Sequence, residues 1–331
     1  MDYEKAMRAA KVLARQGRGL VFPNPIVGAV ILSPDGEVLA EGFHAGGDHA
    51  EVAALKAATF IPAGSTMVVT LEPCNHEGKT GPCTKAIIEA GIARVVYAVN
   101  DPNPEAAGGS EELHKSGIEV ISGLLRDECA FENRDWLTKI SKSRPRFIWK
   151  IASTMDGKIC AADGTSQWIT SESSRTNVAL MRSQADAILV GTGTVLADNP
   201  ELTSKGRGLN PVRIVMGMRE IPSSYKVRNN QSETIFIKSH EISDLLITVN
   251  ERGFNRVIVE CGSSLGSALM RERIIDEVVL FQSPTFFGTG TSFLADIGVA
   301  TITERRNFDI HEVELIGPDI KTTLLTRIEE N

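Results

Sequence analysis

The sequence has no apolar run that approaches the roughly 20 residues needed to span a lipid bilayer. Its first residues, Met1–Lys5, lead into an amphipathic helix and not into the apolar core of a signal peptide. Five cysteines are an odd number, and the chain is too long to be a small disulfide-bonded secreted scaffold. These absences predict a cytoplasmic protein with no membrane partner and no disulfides, and they favour metal binding for two of the cysteines.

Clusters of Lys and Arg are also missing. The chain holds 35 Lys and Arg against 42 Asp and Glu, which gives a formal net charge of −7. Proteins that follow a phosphate backbone usually present a basic face. The composition therefore argues against a nucleic-acid partner and favours a small-molecule substrate.

No internal repeat and no low-complexity tract interrupts the 331 residues, a length that suits two domains. Residues 126–141 resemble a polar connecting helix, and Ser143-Arg144-Pro145 resembles a boundary. The sequence predicts one domain over residues 1–144 and a different one over 145–331.

Strands alternate with helices in both halves, which predicts α/β architecture and, for the first half, a three-layer sandwich. The first half has predicted helices at 2–16, 84–90 and 110–116, another from Glu51, a hairpin over 27–42, and strands at 67–71, 94–99 and 118–121. The second half has predicted strands at 147–152, 187–190, 212–216, 234–237, 256–259 and 277–282, with helices near 171–183 and 264–271.

The sequence His49-Ala50-Glu51, followed by Cys74 and Cys83, is the most informative pattern in the chain. One imidazole and two thiolates suit a tetrahedral Zn²⁺ whose fourth position stays open for water. A His-x-Glu motif with a later Pro-Cys is typical of zinc deaminases, in which the glutamate moves protons for a metal-activated water. His49, Cys74 and Cys83 are therefore the predicted zinc ligands, and Glu51 is the predicted general acid and base. The alternative is a closed zinc site or a set of unrelated core cysteines.

Eight residues separate Cys74 from Cys83, whereas nucleoside and nucleic-acid deaminases typically have two. The insert contains His76 and Lys79, which either reach a substrate phosphate or base edge or are solvated loop residues.

In the second half, a predicted strand runs into Gly191-Thr192-Gly193-Thr194. Such glycines let a phosphate or ribose approach the backbone, but they are also common turn residues. The usual dinucleotide fingerprint, Gly-x-Gly-x-x-Gly followed by an acidic residue, is absent. The pattern leaves a nucleotide site and a simple turn equally open.

Several motifs resemble the bifunctional pyrimidine deaminase/reductase of bacterial riboflavin biosynthesis, and the resemblance covers nearly the whole chain. They are Pro23-Asn24-Pro25 with the following Ile-Val-Gly-Ala-Val, His49-Ala50-Glu51, Leu71-Glu-Pro-Cys74-Asn-His76-Glu-Gly78-Lys79-Thr80 and Asp101-Pro-Asn-Pro. The resemblance implies a cytidine-deaminase-like three-layer α/β/α domain, followed by a dihydrofolate-reductase-like α/β domain that uses NADPH. It also implies a homo-oligomer, either a dimer or a tetramer.

The resemblance further implies the residues of each site. In the first domain the pyrimidine and phosphate pocket would be lined by Asn24, His44, His76 and Lys79. In the second domain the cofactor would contact Ala152, Trp168, Thr194, Asp198, Gly262, Ser263, Ser264, Leu265, Gly266, Ser267 and Ala268. The ribosyl-phosphate substrate would contact Lys150, Ser166, Arg182, Leu202, Lys205 and Glu260.

The chain departs from the family pattern at three places. Gly81 replaces the first proline of Thr-Pro-Pro-Cys, Lys205 stands where the family often has Arg, and Cys261 stands in a motif that usually reads Glu-Gly-Gly or Glu-Ala-Gly. Cys261 either fits as a small buried residue or weakens cofactor binding. No arginine stands out as a ligand for the 2′-phosphate. The expected preference for NADPH over NADH therefore rests on the resemblance alone.

Two other functions remain open from the residues themselves. One is a nucleic-acid-editing deaminase with an attached binding module, which the net charge and the long Cys–Cys insert disfavour. The other is a non-catalytic zinc-binding regulator whose second domain senses nucleotides.

Overall fold

The computed structural model of the chain describes residues 1–77 and 81–327. The chain divides into two compact units, Met1–Ser143 and a second unit that begins at Arg144. A search of the described helices finds none that is both long enough and apolar enough to cross a membrane.

The first unit is built on a five-stranded sheet with the strand order β2-β1-β3-β4-β5. Strand β1 runs antiparallel to β2 and β3, whereas β3, β4 and β5 are parallel. Its strands are β1 (Gly28–Leu32), β2 (Val38–Phe43), β3 (Thr66–Leu71), β4 (Arg94–Val99) and β5 (Glu119–Ser122). Its helices are α1 (Tyr3–Arg15), α2 (Ala50–Ala57), α3 (Cys83–Glu89), α4 (Gly109–Lys115), α5 (Arg126–Glu132) and α6 (Arg134–Lys142).

The central strands of this sheet are buried along their length because helices cover both faces. Every residue of β1 and β3 is buried, as expected for near-continuous apolar strands. Helix α2 approaches β2 so closely that a methyl group on Gly42 would lie 2.4 Å from the Ala54 amide nitrogen. This contact fixes the helix that begins directly after His49.

The predicted polar connecting helix over 126–141 is wrong in two respects. The segment forms two helices, α5 and α6, and Cys129 and Trp136 are buried in the core of the first unit. The chain turns between them at Asn133, whose side chain accepts a hydrogen bond from Ile26 N at 3.1 Å and donates one to Ile26 O at 2.8 Å. The segment belongs to the first unit because its apolar residues lie on the inner face of each helix.

The second unit is built on an eight-stranded sheet with the order β10-β9-β8-β11-β6-β12-β15-β14. Its strands are β6 (Arg146–Thr154), β7 (Lys158–Cys160), β8 (Ala187–Gly191), β9 (Val212–Met216), β10 (Thr234–Ile237), β11 (Arg256–Val259), β12 (Ile275–Ser283), β13 (Thr291–Ser292), β14 (Phe308–Ile316) and β15 (Asp319–Thr326). Its α-helices are α7 (Glu172–Ser183), α8 (Thr192–Asp198), α9 (Ile242–Glu251) and α10 (Ser263–Arg271), and short 3₁₀ turns lie at Lys226–Arg228 and Ile302–Glu304.

Six strands of this sheet, from β10 to β12, are parallel, and β15 and β14 continue it as an antiparallel hairpin. Strands β7 and β13 form a separate pair. The carboxyl ends of parallel strands lie at one edge of a sheet, which is where α/β proteins bind ligands. Gly191, Glu260 and the end of β6 lie at this edge.

Candidate active sites

In the first unit, three predicted zinc ligands meet beside a buried glutamate. His49 is the residue before α2 and has an extended backbone, Cys74 follows β3, and Cys83 is the first residue of α3. His49 Nδ1 lies 3.5 Å from Cys74 Sγ and 3.3 Å from Cys83 Sγ. The three donor atoms all lie within 4.8 Å of one another, a spacing that one metal ion can bridge.

The protonation of these donors suits a divalent cation. A hydrogen bond shared with Cys83 lowers the pKa of the Cys74 thiol and raises that of Cys83, so the two sulfurs hold a proton between them. A metal ion takes the place of such a proton, because the thiolate is the ligand form of cysteine. The residues therefore fit Zn²⁺.

Glu51 lies in the first turn of α2 and is buried. Burial raises the pKa of its carboxyl group to about 7, because the charged form loses its hydration. A carboxyl group with this pKa exchanges a proton readily at neutral pH, which is what a general acid and base requires.

His44 and Asn24 come together next to the metal ligands. The His44 ring is buried, and its centroid lies 5.3 Å from that of His49. Its Nδ1 lies 2.9 Å from the Asp48 carbonyl oxygen and its Nε2 lies 3.2 Å from Asn24 Nδ2. The carbonyl requires a proton on Nδ1, so Nε2 accepts from the Asn24 amide, and burial lowers the pKa of His44 and keeps the ring neutral.

His76 has a buried Nδ1 atom that lacks a hydrogen-bond partner among residues 1–77 and 81–327. An orphaned polar atom of this kind is available to a ligand. Lys79, the other predicted loop residue, lies outside the described residues.

Asp101 is a further candidate, to which its Asp-Pro-Asn-Pro motif alone assigns no role. Burial raises the pKa of its carboxyl group, and the charges of Glu72 and Cys74 act in the same direction. Glu72 fixes the surrounding loops, since it accepts hydrogen bonds from Asp101 N at 3.2 Å and from Ser110 N at 2.9 Å.

The start of α4 packs directly against the ligand loop. A methyl group placed on Gly109 would lie 1.8 Å from the Pro73 carbonyl oxygen, next to Cys74. Only glycine permits this approach.

The second unit contains a cavity of about 570 Å³ at the carboxyl edge of its sheet. Most of the predicted reductase residues line it: Lys150, Ala152, Ser166, Trp168, Arg182, Thr194, Asp198, Leu202, Lys205, Glu260 and Gly262. The remaining predicted cofactor residues, Ser263, Ser264, Leu265, Gly266, Ser267 and Ala268, lie on α10 beyond this lining.

Two of the α10 residues, Gly266 and Ser267, lie on the buried face of the helix. A methyl group on Gly266 would lie 2.2 Å from the Trp149 ring, and Ser267 Oγ accepts a hydrogen bond from Ala295 N at 2.8 Å. These contacts support helix packing. A cofactor role for the segment therefore rests on its first residues, where the helix N-terminus opens.

A charged cluster lies on one wall of the cavity. Glu260 pairs with Arg182 and with Lys150, whose Nζ lies 2.9 Å from Oε2. Burial acts to raise the pKa of Glu260, but the two positive charges outweigh it and hold that pKa at about 2. Glu260 is therefore ionised throughout the neutral range. Lys205, in contrast, is exposed and pairs with Glu201.

Two further contacts position other lining residues of the cavity. Ser166 Oγ donates to Asp198 Oδ1 at 2.8 Å, and Gly262 N donates to Thr194 Oγ1 at 3.2 Å. Trp168 is 70% exposed, and the Arg175 guanidinium lies 4.7 Å from its ring centroid. A stacking surface that is open to solvent fits a planar ring of a ligand.

Two observations bear on the fit of a dinucleotide. Trp149, which sequence reasoning missed because it lies within an apolar strand, lines the cavity, and its buried Nε1 has no partner in the described part of the chain. Burial raises the pKa of the Cys261 thiol to about 12, so this residue adds no negative charge near a pyrophosphate. The cavity thus carries no thiolate at Cys261.

Comparison with known proteins identifies a family for each half of the chain. Residues 1–99 match the cytidine and deoxycytidylate deaminase zinc-binding region, and residues 145–322 match the RibD C-terminal domain. The riboflavin biosynthesis protein RibD of Mycobacterium tuberculosis H37Rv is 42% identical over 98% of this chain and 97% of its own length. The Escherichia coli K12 protein of the same name is 35% identical over 97% and 98%.

Solved structures show the same two-part architecture. A diaminohydroxyphosphoribosylaminopyrimidine deaminase/5-amino-6-(5-phosphoribosylamino)uracil reductase from Thermotoga maritima superposes with a TM-score of 0.92 at 36% identity, covering 98% of this chain and 99% of that one. Acinetobacter baumannii RibD gives 0.91 at 32% identity, with the same coverage. The predicted fold class, with a deaminase domain followed by a reductase domain, is confirmed. The chain belongs to the RibD family of bifunctional riboflavin biosynthesis enzymes, in which a zinc-dependent deaminase domain is joined to an NADPH-dependent reductase domain.

Proposed function

We propose that the first unit removes an amino group from 2,5-diamino-6-ribosylamino-4(3H)-pyrimidinone 5′-phosphate, and that the second unit reduces the ribosyl group of the product to ribityl. The observation that carries this proposal is the meeting of His49, Cys74 and Cys83 beside the buried Glu51. This cluster lies in the same chain as a cavity with a paired Arg, Lys and Glu.

In the deaminase step, water adds to the amino-bearing ring carbon and ammonia leaves. Zn²⁺, when bound by His49, Cys74 and Cys83, supplies Lewis acidity that makes a water molecule a nucleophile at neutral pH. The Glu51 carboxylate accepts the proton that the water loses and returns it to the departing amine. Its pKa of about 7 suits both roles.

Asn24 and His44 orient the pyrimidine. The neutral His44 ring is held by the Asp48 carbonyl oxygen, and it in turn orients the Asn24 amide. His76 offers its unpartnered Nδ1 to the substrate, and Lys79 would add a positive charge for the phosphate. We assign Asp101 to the same group because the charges of Cys74 and His76 act on the pKa of its carboxyl group.

NADPH, if bound in the cavity, would supply the hydride that the reduction needs at C1′ of the ribose. The C1′–ring-oxygen bond would break, and the ring oxygen would take a proton from solvent to become a hydroxyl group. Lys150 and Asp198 are titratable residues of the cavity lining, and we assign them a positioning role in this transfer. We assign Arg182, Glu260, Lys205, Ser166 and Leu202 to the ribosyl phosphate. The other cavity residues Ala152, Trp168, Thr194 and Gly262 we assign to the cofactor, because all of them line the same cavity.

The test is to incubate the zinc-loaded protein with the diaminopyrimidinone ribosyl phosphate, with and without NADPH, and to measure ammonia and the pyrimidine products. We expect ammonia in both reactions and a ribityl product only with NADPH. A zinc-loaded protein that releases no ammonia would overturn the proposed substrate.

The family resemblance also supports a cytoplasmic homo-oligomer, either a dimer or a tetramer. We propose domain limits of 1–144 and 145–331, which differ by one residue from the division at Ser143. Light scattering on the purified protein measures the oligomeric state directly. A monomer at micromolar concentration would contradict the proposed homo-oligomer.

A further inference from the structure

Glu201 is a half-buried carboxylate in the lining of the reductase cavity, and the function proposed above gives it no role. It forms an ion pair with Lys205, which follows it by four residues and also lines the cavity. Lys205 is one of the residues assigned to the ribosyl phosphate. The Glu201 carboxylate and a phosphate group would therefore bind the same ammonium group.

The chain between the two charged residues is fixed. Leu202, Thr203 and Ser204 are buried, and Ser204 N donates to Asn210 Oδ1 at 2.9 Å. Leu202 and Lys205 have left-handed backbone conformations, with φ of 56° and 54°, which residues other than glycine rarely adopt. The two side chains thus leave a rigid turn, and the local fold brings them together.

The pair of Glu201 with Lys205 differs from the other ion pairs of the cavity in its exposure. Lys150 and Arg182 both pair with Glu260, which is buried. The side chains of Lys205 and Glu201 are 53% and 32% exposed. An exposed ion pair contributes little free energy, because water solvates both charges when it separates. A phosphate entering from solvent can therefore displace Glu201 from its partner at low cost.

Other positive charges also act on Glu201. The hydrogen bond from Lys205 and the charge of Lys205 lower the pKa of the Glu201 carboxyl group, and the charges of Lys226 and Arg213 act in the same direction. Glu201 is therefore ionised at neutral pH and lies in a region of positive potential. Such a region attracts anionic ligands.

We propose that Glu201 is an internal competitor of the substrate phosphate, which binds Lys205 by displacing the carboxylate. This inference rests on the reductase function proposed above. A phosphate monoester carries close to two negative charges at neutral pH, against one on a carboxylate, so it takes the ammonium group. The displaced carboxylate remains in the cavity lining and repels the phosphate. Glu201 thereby lowers the affinity of the site for phosphorylated ligands.

The experiment measures the binding of ribose 5-phosphate, which contains the sugar phosphate of the proposed substrate, by calorimetry on the full-length protein. Glu201→Gln should tighten binding by about twofold to fivefold, the contribution of one exposed ion pair. Lys205→Ala should weaken binding, and Glu201→Gln added to it should then have little effect, because no ammonium group is left to compete for. This double-mutant cycle separates competition for Lys205 from the general loss of a negative charge.

Glu220→Gln is the matched control, since it neutralises a carboxylate that pairs with Lys238 away from the cavity lining. It should leave binding unchanged, and thermal melting of each variant verifies folding. Unchanged or weaker binding in Glu201→Gln would overturn the competition. An equal gain with and without Lys205 would overturn it too.

The same measurements separate this inference from the proposed function. Wild-type protein that binds ribose 5-phosphate, with no gain in Glu201→Gln, would remove the role of Glu201 and leave the proposed ribosyl-phosphate site in place. Absence of binding to both the wild type and Glu201→Gln would overturn the proposed site together with the role of Glu201.

Discussion

Arg182 and Glu260 form a two-point ion pair, in which Arg182 Nε donates to Oε1 at 2.6 Å and Nη2 donates to Oε2 at 2.8 Å. The remaining guanidinium nitrogen, Nη1, lies 3.3 Å from the Thr203 carbonyl oxygen. Because the fork of Arg182 is occupied by a carboxylate, its first effect is to hold Glu260 ionised and fixed on the cavity wall. A substrate phosphate would meet the outer face of this pair, together with Lys150.

We expect Glu260 to make the second unit sensitive to acid. Its pKa of about 2 in the folded chain lies below the ordinary value of 4.5, so its stabilising contribution is complete above pH 4.5 and is lost as the pH falls toward 2. A depression of this size corresponds to about 3 kcal/mol of unfolding free energy. Calorimetric scans at decreasing pH should show a steeper fall in melting temperature for the wild type than for Glu260→Gln.

The control for this experiment is Glu233→Gln, which neutralises a carboxylate in an exposed pair with Arg252. Exposed pairs contribute little to stability. Its acid profile should follow that of the wild type, and equal slopes for wild type and Glu260→Gln would contradict the assignment.

Replacing Glu51 by Gln should abolish ammonia release and leave the zinc content unchanged. The amide keeps the shape of the side chain but neither accepts nor returns the proton of the attacking water. Ammonia assay and metal analysis of the same sample separate the two effects. Glu41→Gln, a change at an exposed position on β2, is the control. Residual activity above a few per cent would exclude Glu51 as the essential acid and base.

Removal of the metal should affect one activity only. The donor set His49, Cys74 and Cys83 lies wholly in the first unit, whereas the cavity residues lie in the second. A strong chelator should stop ammonia release, and added Zn²⁺ should restore it, while NADP⁺ affinity stays constant throughout. Parallel loss of NADP⁺ binding would show that the second site also depends on the metal.

Asn133→Ala should destabilise the first unit. The change removes both hydrogen bonds between the Asn133 side chain and Ile26, and leaves two buried backbone groups without these partners. The cost should be about 2–4 kcal/mol of unfolding free energy, measured by urea titration. Because Ile26 follows Asn24-Pro25, the variant should also bind the pyrimidine substrate more weakly. Ser141→Ala, at an exposed position, should change neither quantity.

Trp168 should report cofactor binding. It is 70% exposed, whereas Trp136 and Trp149 are 6% and 1% exposed, so a soluble quencher reaches mainly Trp168. NADP⁺ should protect it from quenching by iodide, because the ring would be covered by the ligand. Trp168→Phe should lose this protected component. Equal protection in the variant would indicate that the ligand binds elsewhere.

The sequence predicted most of the first unit because its signals are local. The apolar runs of β1, β3 and β4 and the His49 motif each depend on residues that are close together in the chain. The grouping of His49, Cys74 and Cys83 was predicted from ligand chemistry, and the structure brings their donor atoms together. The contacts of Asn133 with Ile26 lie outside the reach of such reasoning, because they join residues far apart in sequence.

The second unit was predicted less completely. Helix α8 begins within Gly191-Thr192-Gly193-Thr194, where two glycines and two threonines disfavour a helical prediction. The predicted strands ended at Gln282, and the hairpin of β14 and β15 was missed. Most of β14 is exposed, and a bulge between Ile310 and Glu312 interrupts the alternation that reveals a strand. The domain limits and the roles of individual site residues stay predictions.

The close approach of Gly109 to Pro73 has a consequence for how sequence variants of this enzyme are interpreted. Position 109 is remote in the chain from any metal ligand, and a change there from glycine to alanine would be rated conservative by chemical similarity. The added methyl group would displace the Pro73 carbonyl, and with it the adjoining Cys74. An alanine at this position should therefore lower zinc content and ammonia release much as the loss of a ligand would, although every ligand is still present in the sequence.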